Sequence, residues 1–384
     1  MNYREVKDWL VTNSGSFPDW SNSRYVRTMN VLELFPSFEP YISGKSYSGN
    51  DIFALKWGGG PIKILAWSLM HGNETSAFRS FGQIDYFLRS NQLAESLNKR
   101  VTIVYIPVLN PDGAFDFIRR NHQEIDINRD ARSNQTEEMR FFKSVFSTFK
   151  PQYALNLHDQ RSIFGINGKR DGVRLALCIP QVSVSYLKSE SLEYNRNSLR
   201  QIVNDVFTNV NYEDLALWSH FDEAYYSKAI GEWMQEAGVR TLLLESGVSG
   251  LDYNRSESVL NLSAFILSYF FLLSKKDDSG LCTPSSWELP KNEPLLRDVI
   301  LRNCQVNRDE LLFTTDIALQ YVEYLESGEL KYKLVVDDLG DLSDLIGRQE
   351  FQDISIFAST SFKIGQDVPL DIISQLNLNG LQEL

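Results

Sequence analysis

Short runs rich in Ile, Val and Leu alternate along the chain with longer segments of helical period, and this alternation constrains the fold most. Such runs are typical of strands buried on both faces, and strands followed by helices form a largely parallel sheet that helices cover on both sides. The predicted strands are 62–69, 101–109, 153–157, 175–179 and 240–244, and the predicted helices are 76–97, 136–149, 184–207, 226–237 and 256–273. We predict an α/β domain with a mixed, largely parallel central sheet over residues 1–278.

The C-terminal part of the chain has a different pattern. Residues 273–294 are crowded with Lys, Asp, Ser, Gly and Pro, as in a linker or a surface crossing. Beyond them, the apolar segments 331–336, 353–359 and 361–365 are short and separated by turn signals. These features predict a small β-rich domain over residues 279–384.

Composition excludes several classes of protein. The 384 residues include 38 Lys or Arg and 50 Asp or Glu, so the net charge is −12 and a nucleic-acid partner is not expected. The three cysteines form no C-x-x-C pair, which argues against a disulfide framework or a thiolate metal site. No apolar signal segment opens the chain, and residues 260–273 are too few to cross a bilayer. We expect a cytoplasmic protein with no membrane partner, and its oligomeric state stays open.

Predicted strands end beside residues that bind metals or move protons. His71 and Glu74 follow the strand 62–69, and His158 and Glu245 come directly after two later strands. Because ligands bind outside the carboxyl ends of the strands in such sheets, these side chains should converge at one edge. His71, Glu74 and His158 would provide the His₂Glu set of a catalytic zinc, which keeps one coordination position open.

The His-x-x-Glu spacing at 71–74 has another interpretation, and the same spacing occurs a second time in the chain. A histidine and an acid three residues apart also form an ordinary ion pair at the start of a helix. The same spacing recurs at His220 and Glu223, although that pair follows no clear strand. Strand position therefore favours His71 and Glu74.

Residues 110–130 combine a turn motif with basic clusters. The sequence NPDG at 110–113 predicts a tight turn, in which Pro111 fixes φ and Gly113 admits a positive φ. Two basic clusters follow, Arg119 with Arg120 and Asn128 with Arg129. Guanidinium groups bind carboxylates in a bidentate manner and stabilise oxyanions, so this stretch indicates a substrate-binding loop or, alternatively, a solvated basic loop.

Taken together and in this order, these motifs resemble those of the zinc carboxypeptidases. The series is His71 and Glu74, Asn110 to Gly113, Arg119 with Asn121, Asp126 to Arg129, His158 and Glu245. The resemblance covers roughly residues 40–270, and the ordered combination is more specific than any one motif. It implies a zinc carboxypeptidase-like fold for the first domain.

The resemblance also implies a role for each matching residue. His71, Glu74 and His158 would bind one zinc ion per chain, with Glu245 as general base and Arg119 polarising the scissile carbonyl. Asn128, Arg129 and Tyr225 would bind substrate, and Asp126 would accept a proton from His71. Tyr226 matches the position of the mobile tyrosine as well as Tyr225 does.

Two features near the substrate-binding residues differ from the family pattern or are specific to this chain. Asp130 stands where many members have asparagine. This residue would place a negative charge beside Asn128 and Arg129, which would hold the terminal carboxylate of the substrate and are called the carboxylate clamp below. The floor of the specificity pocket is expected near residues 230–233, where Gly231 would leave room and Glu232 would add charge.

The leading functional hypothesis is a zinc metallocarboxypeptidase that hydrolyses the C-terminal amide bond of peptides. One alternative is a zinc-dependent deacylase of N-acyl amino acids, of the aspartoacylase or succinylglutamate desuccinylase type. The other is a catalytically silent binding protein. The NPDG motif and the length of chain before the first metal motif favour the peptidase.

Overall fold

A computed structural model describes residues 1–26, 30–183, 185, 189–221, 224–275, 289–308, 311–357 and 363–376. The chain divides into two compact units. The first comprises Met1–Gln160, Arg174–Ser246 and Arg255–Pro290, and the second comprises Arg161–Val173, Gly247–Asn254 and Lys291–Leu384. The predicted domain boundary at 278/279 lies outside the described residues and stays a prediction.

An eight-stranded mixed sheet forms the centre of the first unit. Its strands are β1 (Glu39–Lys45), β2 (Asp51–Gly58), β3 (Ile62–Trp67), β4 (Val101–Ile106), β5 (Tyr153–Asp159), β6 (Leu175–Cys178), β7 (Trp218–His220) and β8 (Arg240–Ser246). They are arranged in the order β1-β2-β4-β3-β5-β8-β6-β7. The central run β4-β3-β5-β8 is parallel, whereas β1, β2 and β6 pair with neighbours in the antiparallel sense. The predicted mixed, largely parallel sheet is confirmed.

Helices cover both faces of this sheet. They are α1 (Tyr3–Thr12), α2 (Val31–Leu34), α3 (Ser76–Ser90), α4 (Leu93–Asn98), α5 (Pro111–Asp116), α6 (Glu137–Phe149), α7 (Glu190–Phe207), α8 (Tyr212–Leu215), α9 (Ile230–Glu236) and α10 (Ser256–Lys275). Helices α1, α3, α4, α7 and α10 bury apolar side chains in one hydrophobic cluster, whereas α6 and α9 contribute to a second. Successive side chains of β5 point to opposite faces of the sheet, so Leu155 belongs to the first cluster and Ala154 to the second.

Local sequence signals explain where several helices begin and end. Thr136 caps α6 by accepting a hydrogen bond from the Met139 amide, and two glutamates follow in the first turn. The predicted helix 76–97 is interrupted at Asn91, whose extended backbone ends α3 and whose side chain accepts from the Leu93 amide at the start of α4. The interruption follows from the preference of asparagine for caps and turns.

Helix α10 is long and apolar enough to span a membrane by length and composition alone. Most of its apolar residues are buried against α1, α3 and α7, as expected for the core helix of a globular domain. The predicted core helix is therefore confirmed.

The second unit is β-rich, and its strands are longer than the sequence indicated. Four strands form the sheet order β11-β10-β9-β12, with β13 also paired to β9. They are β9 (Leu296–Arg308), β10 (Leu311–Glu326), β11 (Glu329–Gly340), β12 (Ile346–Gln352) and β13 (Ser355–Phe357), and one helix, α11 (Leu370–Gln375), packs with them. Part of the predicted segment 361–365 lies outside the described residues.

Candidate active site

The crossover from β3 to α3 carries the first two candidate metal ligands. The chain reverses after β3 through Leu69, whose φ of 47° is left-handed. The Glu74 amide then donates to the His71 carbonyl over 3.1 Å, which closes a tight turn. His71 and Glu74 consequently face each other at the carboxyl end of a parallel strand, where ligand sites of such sheets form.

His158 and Glu245 lie side by side in the middle of the sheet. His158 is on β5, and its Cα partner in the parallel register with β8 is Glu245. Because directly paired residues point to the same face of a sheet, the third candidate ligand and the candidate base share one surface.

The Glu74 carboxylate joins the two histidines. Its Oε1 lies 2.8 Å from His71 Nδ1, and its Oε2 lies 2.8 Å from His158 Nδ1. His71, Glu74 and His158 are only 2%, 8% and 3% exposed, and one ligand atom of each lies within 4.8 Å of those of the others. Glu74 and His158, which are 84 positions apart in sequence, thus have side chains in direct contact.

This cluster fits a catalytic zinc site. Two imidazoles and a carboxylate are the donor set of His₂Glu hydrolases, in which one coordination position stays free for water or substrate. His71 Nδ1 and His158 Nδ1 both face the Glu74 carboxylate, so two nitrogen donors and one oxygen donor surround a common point. This donor set supports metal binding at His71, Glu74 and His158.

Asp126 contacts the other nitrogen of the His71 ring. Its Oδ1 lies 3.0 Å from His71 Nε2 and also accepts from the Asn128 amide, which fixes the carboxylate. A carboxylate in this place favours the tautomer with the proton on Nε2 and leaves the Nδ1 lone pair facing Glu74.

Electrostatic interactions set the protonation states in the cluster. Burial raises the pKa of the Glu74 carboxyl, but His71 and His158 outweigh this effect and hold the pKa well below its usual range. Burial lowers the pKa of His158, whereas the neighbouring carboxylates Glu74 and Asp126 outweigh burial at His71 and raise its pKa. The low pKa of Glu74 and the lowered pKa of His158 favour an ionised carboxylate and a neutral imidazole, which are the forms that bind a divalent cation.

Glu245 is shifted in the opposite direction from Glu74. Burial raises its pKa well above the usual range, and the nearby carboxylates of Glu74 and Asp159 raise it further. Arg119 and Arg255 act against this rise without reversing it. A carboxyl group with a raised pKa beside a metal centre is suited to take up and release a proton near neutral pH.

Arg119 lies at the mouth of the cluster, with 44% of its side chain exposed. Its Nη2 donates to Asp126 Oδ2 over 2.8 Å, and its Nη1 lies 3.4 Å from Glu74 Oε1. The guanidinium group is therefore held mainly by Asp126 and also contacts Glu74, while its exposed part is accessible to a substrate oxygen.

Arg129 is exposed and lies near a tyrosine ring. Its guanidinium carbon is 5.2 Å from the ring centroid of Tyr226, and its Nη1 donates to the backbone carbonyl of Asn128. The Asn128 side chain is buried and accepts from the Ile230 amide at the start of α9 over 3.0 Å. The loop 126–129 and α9 are thereby joined.

Tyr225, the tyrosine assigned to substrate binding from the sequence, contacts Glu236 and Arg132. Its hydroxyl donates to Glu236 Oε1 over 2.9 Å and accepts from Arg132 Nη2 over 3.2 Å. The ring that meets Arg129 is Tyr226, so the structure brings the alternative tyrosine, and not Tyr225, to the predicted carboxylate clamp.

Three expectations about neighbouring loops are wrong. The NPDG motif is the first turn of α5, with Asn110 as its cap accepting from the Gly113 amide, and Gly113 has no positive φ. Asp130 points inward and accepts from the Gln135 and Thr136 amides, so its charge does not face the clamp. Gly231 leaves no open space, because a Cβ there would lie 2.9 Å from Pro180 Cγ.

The second His-x-x-Glu pair cannot be compared in full, because Glu223 lies outside the described residues. His220 is the last residue of β7, and its amide donates to the Pro290 carbonyl.

Arg24 contacts residues next to the candidate metal ligands, although no sequence motif predicts this position for it. Arg24 donates to Asp159 Oδ2 over 2.8 Å, although it lies far from any motif in a loop near the N-terminus. A buried arginine of this kind is found only when long-range contacts are known.

The chain is similar in sequence to fungal carboxypeptidases. It is 31% identical over 137 residues to carboxypeptidase 2 of Trichophyton rubrum, covering 35% of this chain and 24% of that protein. It is 27% identical over 179 residues to a probable carboxypeptidase 2 of Trichophyton verrucosum, covering 46% of this chain and 32% of that protein. Both relatives are carboxypeptidases by name. The matched region thus spans about a quarter to a third of the length of these relatives.

The chain is also similar to solved structures of carboxypeptidases. A metallo-carboxypeptidase from Burkholderia cenocepacia has 15% identity and a TM-score of 0.48, covering 64% of this chain and 67% of that one. A Pseudomonas aeruginosa metallo-carboxypeptidase, in complex with (2-guanidinoethylmercapto)succinic acid, has 15% identity and a TM-score of 0.45, covering 63% and 68%. No family model matches the chain.

Proposed function

We propose that this chain is a zinc metallocarboxypeptidase that removes the C-terminal residue of peptides by hydrolysis. The observation that carries the proposal is the convergence of His71, Glu74 and His158 beside Glu245, a carboxyl group with a raised pKa on the neighbouring strand. The names of the curated relatives support the peptidase over the deacylase of N-acyl amino acids. The cytoplasmic location stays a prediction.

The chain's own residues supply the acid–base chemistry. Zinc held by His71, Glu74 and His158 would act as a Lewis acid that polarises a carbonyl and acidifies water. The Glu245 carboxylate accepts the proton of the attacking water and delivers it to the nitrogen of the leaving amine. Burial and the nearby carboxylates raise the pKa of Glu245, which makes it a stronger base than an exposed glutamate.

Two arginines divide the recognition of charge. Arg119, oriented by Asp126, donates hydrogen bonds to the carbonyl oxygen as negative charge develops there. Arg129, supported by Asn128 and the ring of Tyr226, binds the free carboxylate of the substrate. A free carboxylate is the feature that distinguishes the last residue of a peptide from the others.

A panel of three substrate classes tests the proposal on the zinc-loaded chain. The classes are peptides with a free C-terminus, the same peptides amidated at the C-terminus, and N-acyl amino acids. We expect release of the last residue from the free peptides and little from the amides, because the amides lack the charge that Arg129 binds. Hydrolysis of N-acyl amino acids alone would support the deacylase, and turnover of nothing would support the silent binding protein.

Glu245→Gln is the control for the chemistry. It should retain zinc and lose turnover by roughly 10²–10⁴-fold, because the amide cannot accept the proton. The exposed Glu39→Gln variant should match the wild type. Equal turnover in wild type and Glu245→Gln would refute the assigned base.

A further inference from the structure

Arg24, a buried arginine in the N-terminal part of the first unit, contacts both segments that carry proposed metal ligands, the turn 71–75 and the end of β5. The Arg24 guanidinium is 5% exposed and meets three acceptors. Its Nη1 donates to Asp159 Oδ2 over 2.8 Å and to Thr75 Oγ1 over 2.9 Å, and its Nη2 donates to the Asn73 carbonyl over 3.1 Å. Asn73 and Thr75 flank the ligand Glu74, and Asp159 follows the ligand His158.

Asp159 completes the connection between these segments. Its Oδ2 also accepts from the Ser76 hydroxyl over 3.0 Å, so the carboxylate is shared between Arg24 and the start of α3. Its backbone amide donates to Glu74 Oε2 over 3.2 Å. One buried carboxylate therefore links the arginine, the helix that follows the first ligand pair, and the strand that carries the third ligand.

We propose that Arg24 is a positioning residue for the metal centre, which holds the turn 71–75 and the end of β5 in register. This inference rests on the proposed function, because it concerns the same metal site. Arg24 acts through the backbone of Asn73, the hydroxyl of Thr75 and the carboxylate of Asp159, and not through a direct bond to a metal ligand.

The geometry requires a guanidinium group. Three acceptors from two segments surround Arg24, and a planar fork with several N–H groups reaches all of them in one orientation. A lysine preserves the charge that neutralises Asp159 but offers a single donor centre. Arg24→Lys therefore separates the bridging role from the charge, and residues that orient metal ligands typically change metal affinity about 10–100-fold.

Arg79 provides a matched control in the same part of the fold. It is a buried arginine on α3, and its Nε donates to the Ser21 carbonyl over 2.9 Å. Both arginines thus hold the segment 21–24 against the rest of the first unit, but the Arg79 contact with Ser21 is separate from the ligand segments. A general loss of packing affects both variants, whereas a positioning role affects Arg24 alone.

The experiment compares wild type, Arg24→Lys and Arg79→Lys by competition for zinc with a chromogenic chelator and by visible absorption of the cobalt-substituted chain. We expect Arg24→Lys to weaken zinc affinity about 10–100-fold and to change the cobalt spectrum. Arg79→Lys should leave both unchanged even if its melting temperature falls. Wild-type affinity and spectrum in Arg24→Lys, or equal effects in both variants, would overturn the inference.

A double variant keeps the test informative if Arg24→Gln alone folds poorly. Arg24→Gln with Asp159→Asn removes the buried charge of both partners, so it should regain stability relative to Arg24→Gln without regaining zinc affinity. Recovery of both would show that charge balance alone matters and would refute the positioning role. A wild-type chain that binds no zinc would refute the proposed function and this inference with it.

Discussion

At the scale of single residues, two glutamates of one cluster have opposite protonation behaviour. Glu74 lies between two imidazoles, which hold its pKa low, whereas Glu245 lies in a buried place near other carboxylates, which raise its pKa. Such divergence separates an acid that binds a cation from one that exchanges protons. The opposite pKa shifts thus follow from the neighbours of each residue and not from its type, and they support the proposed roles of Glu74 as a ligand and Glu245 as a base.

Glu232 on α9 gives a prediction about stability and pH. It is 7% exposed, and burial raises its pKa to about 7, with Glu236 also raising it and Arg129 opposing the rise. Below pH 4.5 the carboxyl is protonated in the folded and unfolded states. As the pH rises from there to about 7, the unfolded state ionises first, so the folded state loses relative stability.

We therefore expect Glu232→Gln to match the wild type in acid and to exceed its unfolding free energy by roughly 2–3 kcal/mol above neutral pH. Urea denaturation between pH 4 and pH 8 measures the difference, with the exposed Glu39→Gln as control. A difference that stays constant with pH, or that grows toward acid, would contradict the assignment.

At the scale of elements, one glycine allows the turn that carries His71 and Glu74 to pack directly on α5, and a second allows the chain after α5 to fold back against it. A Cβ at Gly72 would lie 2.0 Å from the backbone carbon of Gly113, and a Cβ at Gly113 would lie 2.5 Å from the Arg120 carbonyl oxygen. Backbone atoms cannot move aside as a side chain can. The position of the His71–Glu74 turn therefore depends on the absence of a side chain at Gly72, whereas Gly113 leaves room for the backbone of residues 118–120.

Gly72→Ala should destabilise the fold by about 1–3 kcal/mol or more, because the added methyl group meets the backbone of α5. Zinc affinity should fall as well, since the turn carries two ligands. Gly59→Ala is the control, because a Cβ at Gly59 would meet no atom of the described residues within 4 Å and should change the melting temperature little. Wild-type stability in Gly72→Ala would contradict the close packing.

The sequence predicted elements better than contacts. The five buried runs all became strands of the first sheet, because apolar runs between turn signals have few alternatives. Local pattern misled at NPDG, where Pro111 begins a helix in place of a turn, and both outcomes suit a proline after asparagine. The close packing at Gly113 was also missed, since the sequence does not show how the backbone of residues 118–120 folds back onto this position.

At the scale of the whole molecule, sheet order assembles the site. β3 pairs with β5 and β5 pairs with β8, all parallel, so three strand ends that are distant in sequence meet at one edge. The sequence identified His71, Glu74, His158 and Glu245 but contained no direct information on which strands are neighbours. Arg24 was not predictable, because its partners are determined only by this tertiary arrangement.

Which chain segments belong to each of the two units could not be predicted from local patterns either. Arg161–Val173 and Gly247–Asn254 belong to the second unit, although each interrupts the first unit in sequence. Within the second unit, Arg348 donates to the Ser162 and Val248 carbonyls, so long-range hydrogen bonds join segments that are remote along the chain. A single cut in the sequence cannot describe such a division.

The most direct test of the proposed metal centre is the metal content of the purified chain, measured by elemental analysis on the wild type and on His158→Ala. We expect about one zinc per chain in the wild type and nearly none in the variant, because His158 is one of the three proposed protein ligands. No metal in the wild type, or the same metal content in His158→Ala, would contradict the assignment of this centre.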